Sequence, residues 1–166
     1  THAEYVPPGF HARFSAARKT YRYCISRAPV LSPFDAGLAW HRPLAWSTDI
    51  LEQAVRLFLG THDFTAFAAL RGNEPRPIPA DYFLRTITQA QVVQEGEHVF
   101  ITLTGTGFLY KMVRLMAGAA HEAARGKITL DELARLINYP RPDDKSPFCA
   151  PPDGLTLMQV HYAEEA

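Results

Sequence analysis

The sequence predicts an α+β domain: a mainly antiparallel mixed sheet with helices packed on one face. Three observations carry this. Residues 21–27 and 154–162 alternate apolar and polar side chains with strong β-formers, the period of a half-buried strand. Residues 82–93 and 98–106 flank Gln94-Glu95-Gly96-Glu97, a hairpin signature that implies antiparallel pairing. Three segments place apolar residues at helical spacing, and such one-sided helices must bury their apolar faces against another layer. A chain of 166 residues fits one domain, 1–166, with a sizeable core.

In chain order, Pro7-Pro8-Gly9 is a turn or extended lead-in. Phe10–Ala16 alternates and is expected as a short strand, followed by a basic turn over Ala17–Thr20. Tyr21–Arg27 is the first clear strand, with Tyr21, Tyr23 and Ile25 on one face and Arg22, Cys24 and Ser26 on the other. Residues 28–46 are expected as an ordered loop. Ser47 and Thr48 are N-cap candidates for a helix whose face is Leu51, Ala54, Val55 and Phe58, with Gly60 as its stop. Thr61–Phe67 is a short strand or turn, and Leu70–Asp81 a Pro/Gly/Arg-rich exposed loop. After the hairpin, Gly105-Thr106-Gly107 marks a strand-to-helix turn. The helix it opens places apolar residues at 108, 109, 112, 113, 116 and 117 and runs to about Arg125, before Gly126. Thr129-x-x-Glu132 is a capping box for a last helix that ends by Pro140.

Composition narrows the function classes. Seventeen basic and seventeen acidic residues balance, so no bulk charge advertises nucleic acid, although a local patch suffices to bind a backbone. Cys24 and Cys149 are far apart with no C-x-x-C, which argues against a metal knuckle or disulfide scaffold and suits a reducing cytoplasm. The histidines form no ligand-spaced pair, so no metal is expected. No apolar run approaches the ~20 residues of a membrane span. P-loop, dinucleotide and nucleophile-elbow motifs are absent. The chain starts at Thr1 without an initiator Met, and a fragment of a longer protein is expected.

Two constellations stand out. On the central helix, Gly107, Tyr110, Arg114, Gly118 and His121 recur at spacings of three and four. Arg114 there is either bonded to a surface acid at the edge of the core or aimed at an anion in a cleft. Tyr21 and Tyr23 lie near Arg13, Arg18, Lys19 and Arg22. This is either a core strand with a solvated basic face or a stacking platform for an extruded base. Asp63 is an isolated acid, expected to cap a turn rather than serve as a base.

Several stretches together resemble the tRNA pseudouridine synthase A family, in its C-terminal half. They are Phe10–Ala16 with Tyr21-Arg22-Tyr23, Leu59–Phe67, Arg85-Thr86-Ile87, Gly107–Gly118 and Ala150–Leu155, in register over almost the whole chain. The resemblance implies a pseudouridine synthase fold and isomerisation of uridine in the anticodon arm of tRNA without cofactor. It also implies a cytoplasmic homodimer whose tRNA spans both subunits. In the family an Asp attacks or deprotonates the flipped nucleotide, the glycosidic bond breaks, the uracil turns over and C5 bonds to the sugar. The Tyr that packs on the base and helps deprotonate C5 falls on Tyr21, and the Arg that ion-pairs with the Asp falls on Arg114. Leu109 and Met112 are expected to line the pocket, with Arg13 and Arg22 on the substrate.

The catalytic Asp belongs to a Gly-Arg-Thr-Asp motif upstream of the matching region, and no such motif occurs in these residues. Tyr110-Lys111 stands where paired histidines are often found, and Gly105-Thr106-Gly107 where Ala-Asn-Ala is more usual. The expectation is therefore a domain without its Asp-bearing half, inactive alone, with Arg114 facing an open cleft. The alternative is a non-catalytic RNA-binding or dimerisation module.

Overall fold

In a computed structural model, residues 5–162 are described. The chain forms β1 (Ala16–Ser26), β2 (Trp40–His41), α1 (Thr48–Arg56), β3 (Gly60–Asp63), β4 (Leu84–Glu95), β5 (His98–Gly105), α2 (Met112–Ala124), α3 (Leu130–Asn138) and β6 (Leu155–Tyr162). The six strands make one sheet, ordered β2-β1-β5-β4-β3, with β6 along the same edge of β1 as β2. Every pairing is antiparallel except that of β1 with β2, so the α+β, mixed and mainly antiparallel reading holds.

The helices cover one face of the sheet. Tyr23, Ile25, Ile87, Val99, Ile101 and Leu103 meet Leu51, Val55, Phe58, Met116, Ala120 and Leu133 there in a single buried cluster. The local signals act as expected. Ser47 Oγ accepts from the Ile50 amide to start α1, and the Thr129–Glu132 capping box starts α3.

Two expectations fail at the first strand, and the expected 28–46 loop contains β2. Residues 10–15 are not a strand: the His11 ring accepts from the Arg13 and Phe14 amides, and the Ser15 amide donates to the His11 carbonyl, closing a turn. The supposed basic turn, Ala17–Thr20, is instead the start of β1, because its backbone ladders with both β5 and β6. Local alternation misplaced this strand, since what defines it is pairing with distant partners.

The central helix begins at Met112, not at 108. Lys111 before it has φ 60°, a left-handed backbone that no helix can pass through. Residues 106–111 instead fold over the end of β5. Phe108 and Leu109 fit a helical period only because the loop returns them to the same core. The proposed helical stripe therefore does not exist as such. Gly107 and Tyr110 are loop residues, while Gly118 and His121 are buried.

Candidate active-site cavity

The end of the sheet nearest the 106–111 loop is locally irregular. Opposite the Thr20–Tyr21 step, β6 carries the extra residue Met158, and beside Gly105 the strand β4 carries the extra residue Thr88. Such bulges bend a strand and sharpen its twist, which re-aims neighbouring side chains. Gly105 lets β5 and β4 close up here, since a Cβ would lie 2.8 Å from the Thr86 carbonyl oxygen.

This splayed end frames a cavity of about 540 Å³ between β1, the 106–111 loop and the start of α2. Tyr21 forms one wall, and its ring meets that of Phe108 edge-to-face at 5.0 Å. Leu109, Met112 and Val113 add apolar surface. Arg114 is half-buried. Its Nε donates to the Ala150 carbonyl at 2.6 Å, and no side chain among the described residues accepts from its terminal nitrogens. The sequence builds this placement through Gly118, one turn on. A Cβ there would come within 2.3 Å of the Phe148 carbonyl oxygen, so only glycine lets the 148–150 segment approach α2 and offer Ala150 to Arg114. The Ala150 amide returns a bond to the Arg114 carbonyl at 3.0 Å.

Arg13, Lys19, Arg71, Lys111 and Arg114 line the cavity, and among the described residues no carboxylate does. Five cations beside an aromatic wall make a positive site that favours an anionic group and holds an incoming carboxylate ionised. Among the described residues no cluster of His, Cys, Asp and Glu is suited to a metal, and no helix is long and apolar enough to cross a membrane.

The structure brings together Arg13, Tyr21, Leu109, Met112 and Arg114 of the expected site residues. It does not bring Arg22. That side chain leaves the opposite face of the sheet, lies over the Phe100 ring at 5.2 Å and borders a separate cavity with Cys24, Asp35 and His98. The second cavity is chemically quiet: burial, reinforced by Asp35, pushes the Cys24 thiol up to about 11, away from thiolate reactivity. Asp63 caps its turn, accepting from the Thr65 amide and hydroxyl.

Of the cavity's basic residues, Arg71 has no signal in the sequence, while Lys19 and Lys111 are marked there only as part of a basic cluster and of a departure from the family pattern. Lys19 shares a face with Tyr21 two residues on, a relation visible once 17–20 is known to be strand. Lys111 precedes α2 rather than lying on it, and its left-handed backbone is what the helical period does not show. Arg71 sits in the 68–83 loop, where no spacing marks it; its guanidinium covers the Tyr110 ring at 4.3 Å.

A mainly antiparallel sheet capped by helices, with an apolar-walled, cation-rimmed cavity at one end, defines an α+β domain with a site for an anionic ligand. The chain belongs to the tRNA pseudouridine synthase family, whose sequence profile matches residues 54–163. It is 88% identical over 165 residues to tRNA pseudouridine synthase A of Akkermansia muciniphila, an alignment covering 99% of this chain and 62% of that protein. It is 38% identical over 160 residues to the tRNA pseudouridine synthase A of Methylacidiphilum infernorum, covering 96% and 60%. It is likewise 38% identical over 164 residues to that of Syntrophotalea carbinolica, covering 98% and 62%. The chain thus spans about three-fifths of the length of these relatives.

Proposed function

We propose that this chain is the C-terminal, cavity-bearing part of a tRNA pseudouridine synthase that isomerises uridine in the anticodon arm of tRNA, acting as a cytoplasmic homodimer without cofactor. The observation that carries the reading is the joint placement of Tyr21 and Arg114 on one cation-lined cavity that has no carboxylate among the described residues, in a chain of this family. The nucleophilic or basic Asp is supplied by a part of the protein outside this chain, and the Nη groups of Arg114 receive it.

Each residue then has a chemical task. Arg114, fixed through Nε on Ala150, keeps the Asp ionised in a site that the substrate closes to water. Tyr21 packs on the flipped uracil, offsetting part of the cost of unstacking it, and its hydroxyl helps remove the C5 proton. The C1′–N1 bond breaks, the ring turns over, and C1′ bonds to C5 as the C5 proton leaves and N1 is protonated. Atoms and electrons balance within one nucleotide, so no oxidant or reductant is needed. Leu109 and Met112 bound the turning ring on its apolar side.

The test is pseudouridine formation by the full-length protein on a tRNA transcript. Arg114→Ala is expected to cut the rate by about 100-fold or more, the scale of losing a charge-stabilising group. This chain alone is expected to yield no product while retaining salt-sensitive RNA binding. Wild-type rates in Arg114→Ala would refute the assignment. Full-length protein that binds RNA and forms no pseudouridine would favour a non-catalytic binding module.

A further inference from the structure

Beside the Tyr21–Arg114 cavity lies a second recess of about 290 Å³, and the two share a wall made of Arg13, Arg71, Phe108, Leu109 and Tyr110. We infer that this recess is a second nucleotide subsite, in which Arg71 holds the phosphodiester joining the target uridine to its neighbour. The inference rests on the uridine reading of the first cavity and extends it.

Three observations support it. The first is chemical contrast. The shared wall passes from an apolar-walled chamber to a polar one, whose further lining includes Asn73, Glu74, Tyr82 and Arg85. A cavity that accepts one base of a polymer must continue into space for the next, and a polar chamber beside it suits a sugar and base edge.

The second is the state of the guanidiniums. The Arg71 guanidinium lies over the Tyr110 ring, and among the described residues none of its side-chain N–H groups has a protein acceptor. Arg13 on the same wall also has none. Some other arginines are engaged, Arg56 with Glu52, Arg125 with Glu122 and Arg135 bidentate on Asp144, while the side chains of Arg18, Arg76 and Arg141 show no acceptor among the described residues. What sets Arg71 and Arg13 apart is their place on the wall between the two chambers. Two stacked or edge-free guanidiniums between two chambers present the planar donor fork that a phosphate accepts.

The third is preorganisation. Glu74, the one carboxylate in the recess among the described residues, does not pair with the Arg71 side chain. It accepts from the backbone amides of Arg71 and Gly72, which hold it below the usual carboxylate range and lock the loop that carries Arg71. The Ala69 amide donates to the Tyr110 carbonyl, tying that loop to the one beneath it. Gly107 keeps room for Arg85, whose Nε would stand 3.3 Å from a Cβ at 107. Arg85 in turn is held by the Tyr82 and Leu84 carbonyls.

The test is a cycle between protein and RNA in the full-length protein. A five-nucleotide RNA with a central uridine is titrated by fluorescence anisotropy. In two further oligonucleotides, one or the other phosphodiester flanking the uridine is a neutral methylphosphonate. Wild type is expected to lose about ten-fold in affinity, or 1.4 kcal/mol, for one of the two neutral linkages. Arg71→Ala is expected to lose as much on the native RNA and nothing further on that same neutral RNA, while Arg71→Lys retains part of the binding. The salt slope of Arg71→Ala should fall by about 0.7. Arg71 is exposed, so its unfolding midpoint should not move.

An Arg71→Ala loss that is equal for all three oligonucleotides, or no loss at all, would overturn the inference. If the protein forms pseudouridine but shows no coupling, only the subsite fails. If coupling appears without pseudouridine formation, the isomerase reading fails and the phosphate site stands. Absence of any RNA binding would remove both.

Discussion

Tyr21 and Tyr23 stand two residues apart on one face of β1, and Arg114 and His121 about two turns apart on α2. The first of each pair borders the open cavity, and the second is sealed. Tyr23 is fully buried and its hydroxyl donates to the Pro151 carbonyl at 2.8 Å. His121 is fully buried too, against the Trp40 and Trp46 rings, with Arg42 Nε donating to its Nε2 at 3.4 Å. The same two elements thus serve as core at one end and as site at the other. What divides them is the 148–151 segment, which closes over the sealed end and offers Ala150 to Arg114 at the boundary.

The strongest way to break this division is to move that segment. Gly118→Ala sets a Cβ against the backbone of Phe148, which cannot swing away as a side chain would. A cost of about 3 kcal/mol is expected, at the upper end for overpacking, read as a lower urea midpoint. Because Ala150 moves with Phe148, RNA affinity should fall as well, although residue 118 does not line the cavity.

Acid attacks the sealed end by itself. Burial, then the Arg42 charge, pushes the His121 imidazole down to about 4; Arg125 adds to this and Glu122 opposes it. The unfolded chain therefore binds the proton first, at about pH 6.5, while the folded chain resists until about pH 4. Stability is full above pH 6.5 and falls as pH drops through that window, by a loss on the order of 2–3 kcal/mol. Urea unfolding at pH 7, 6 and 5 checks this, and His121→Asn should flatten the dependence. The shifted carboxylates Asp144, Glu132 and Glu74 are all depressed, so their contributions begin to be lost only near their ordinary values of 3.8 to 4.5, at the acid edge of this window and below the pH 7, 6 and 5 series.

The sealed end was the more legible in the sequence. Alternation at Tyr23 and Ile25, the Ser47 cap, the 129–132 box and the hairpin at Gly96-Glu97 are local signals, and each formed what its chemistry dictates. The open end was less so. Its shape depends on the left-handed backbone at Lys111, on bulges set by strand pairing, and on a loop that carries Arg71 across to Tyr110. None of these has a period. Tyr21 and Arg114 were singled out through family resemblance, whereas pattern alone left Arg114 between a surface acid and an anion.

The finest probe of the division is removal of one oxygen from either tyrosine. In Tyr23→Phe the Pro151 carbonyl loses its buried donor, and about 1 kcal/mol of stability should go with it. Burial holds the Tyr23 phenol well above the ordinary tyrosine range, so this hydroxyl stays a donor at every working pH, and the loss should not vary with pH. Tyr21→Phe deletes a hydroxyl on the cavity side, and stability should change by less than about 0.5 kcal/mol, as for surface substitutions. Its effect should fall on pseudouridine formation in the full-length protein, with RNA binding nearly intact because the stacking ring remains. If Tyr21→Phe were the more destabilising of the two, Tyr21 would belong to the core and the cavity would end at Phe108. Two substitutions of identical chemistry on one strand face therefore locate the boundary between scaffold and site to within two residues.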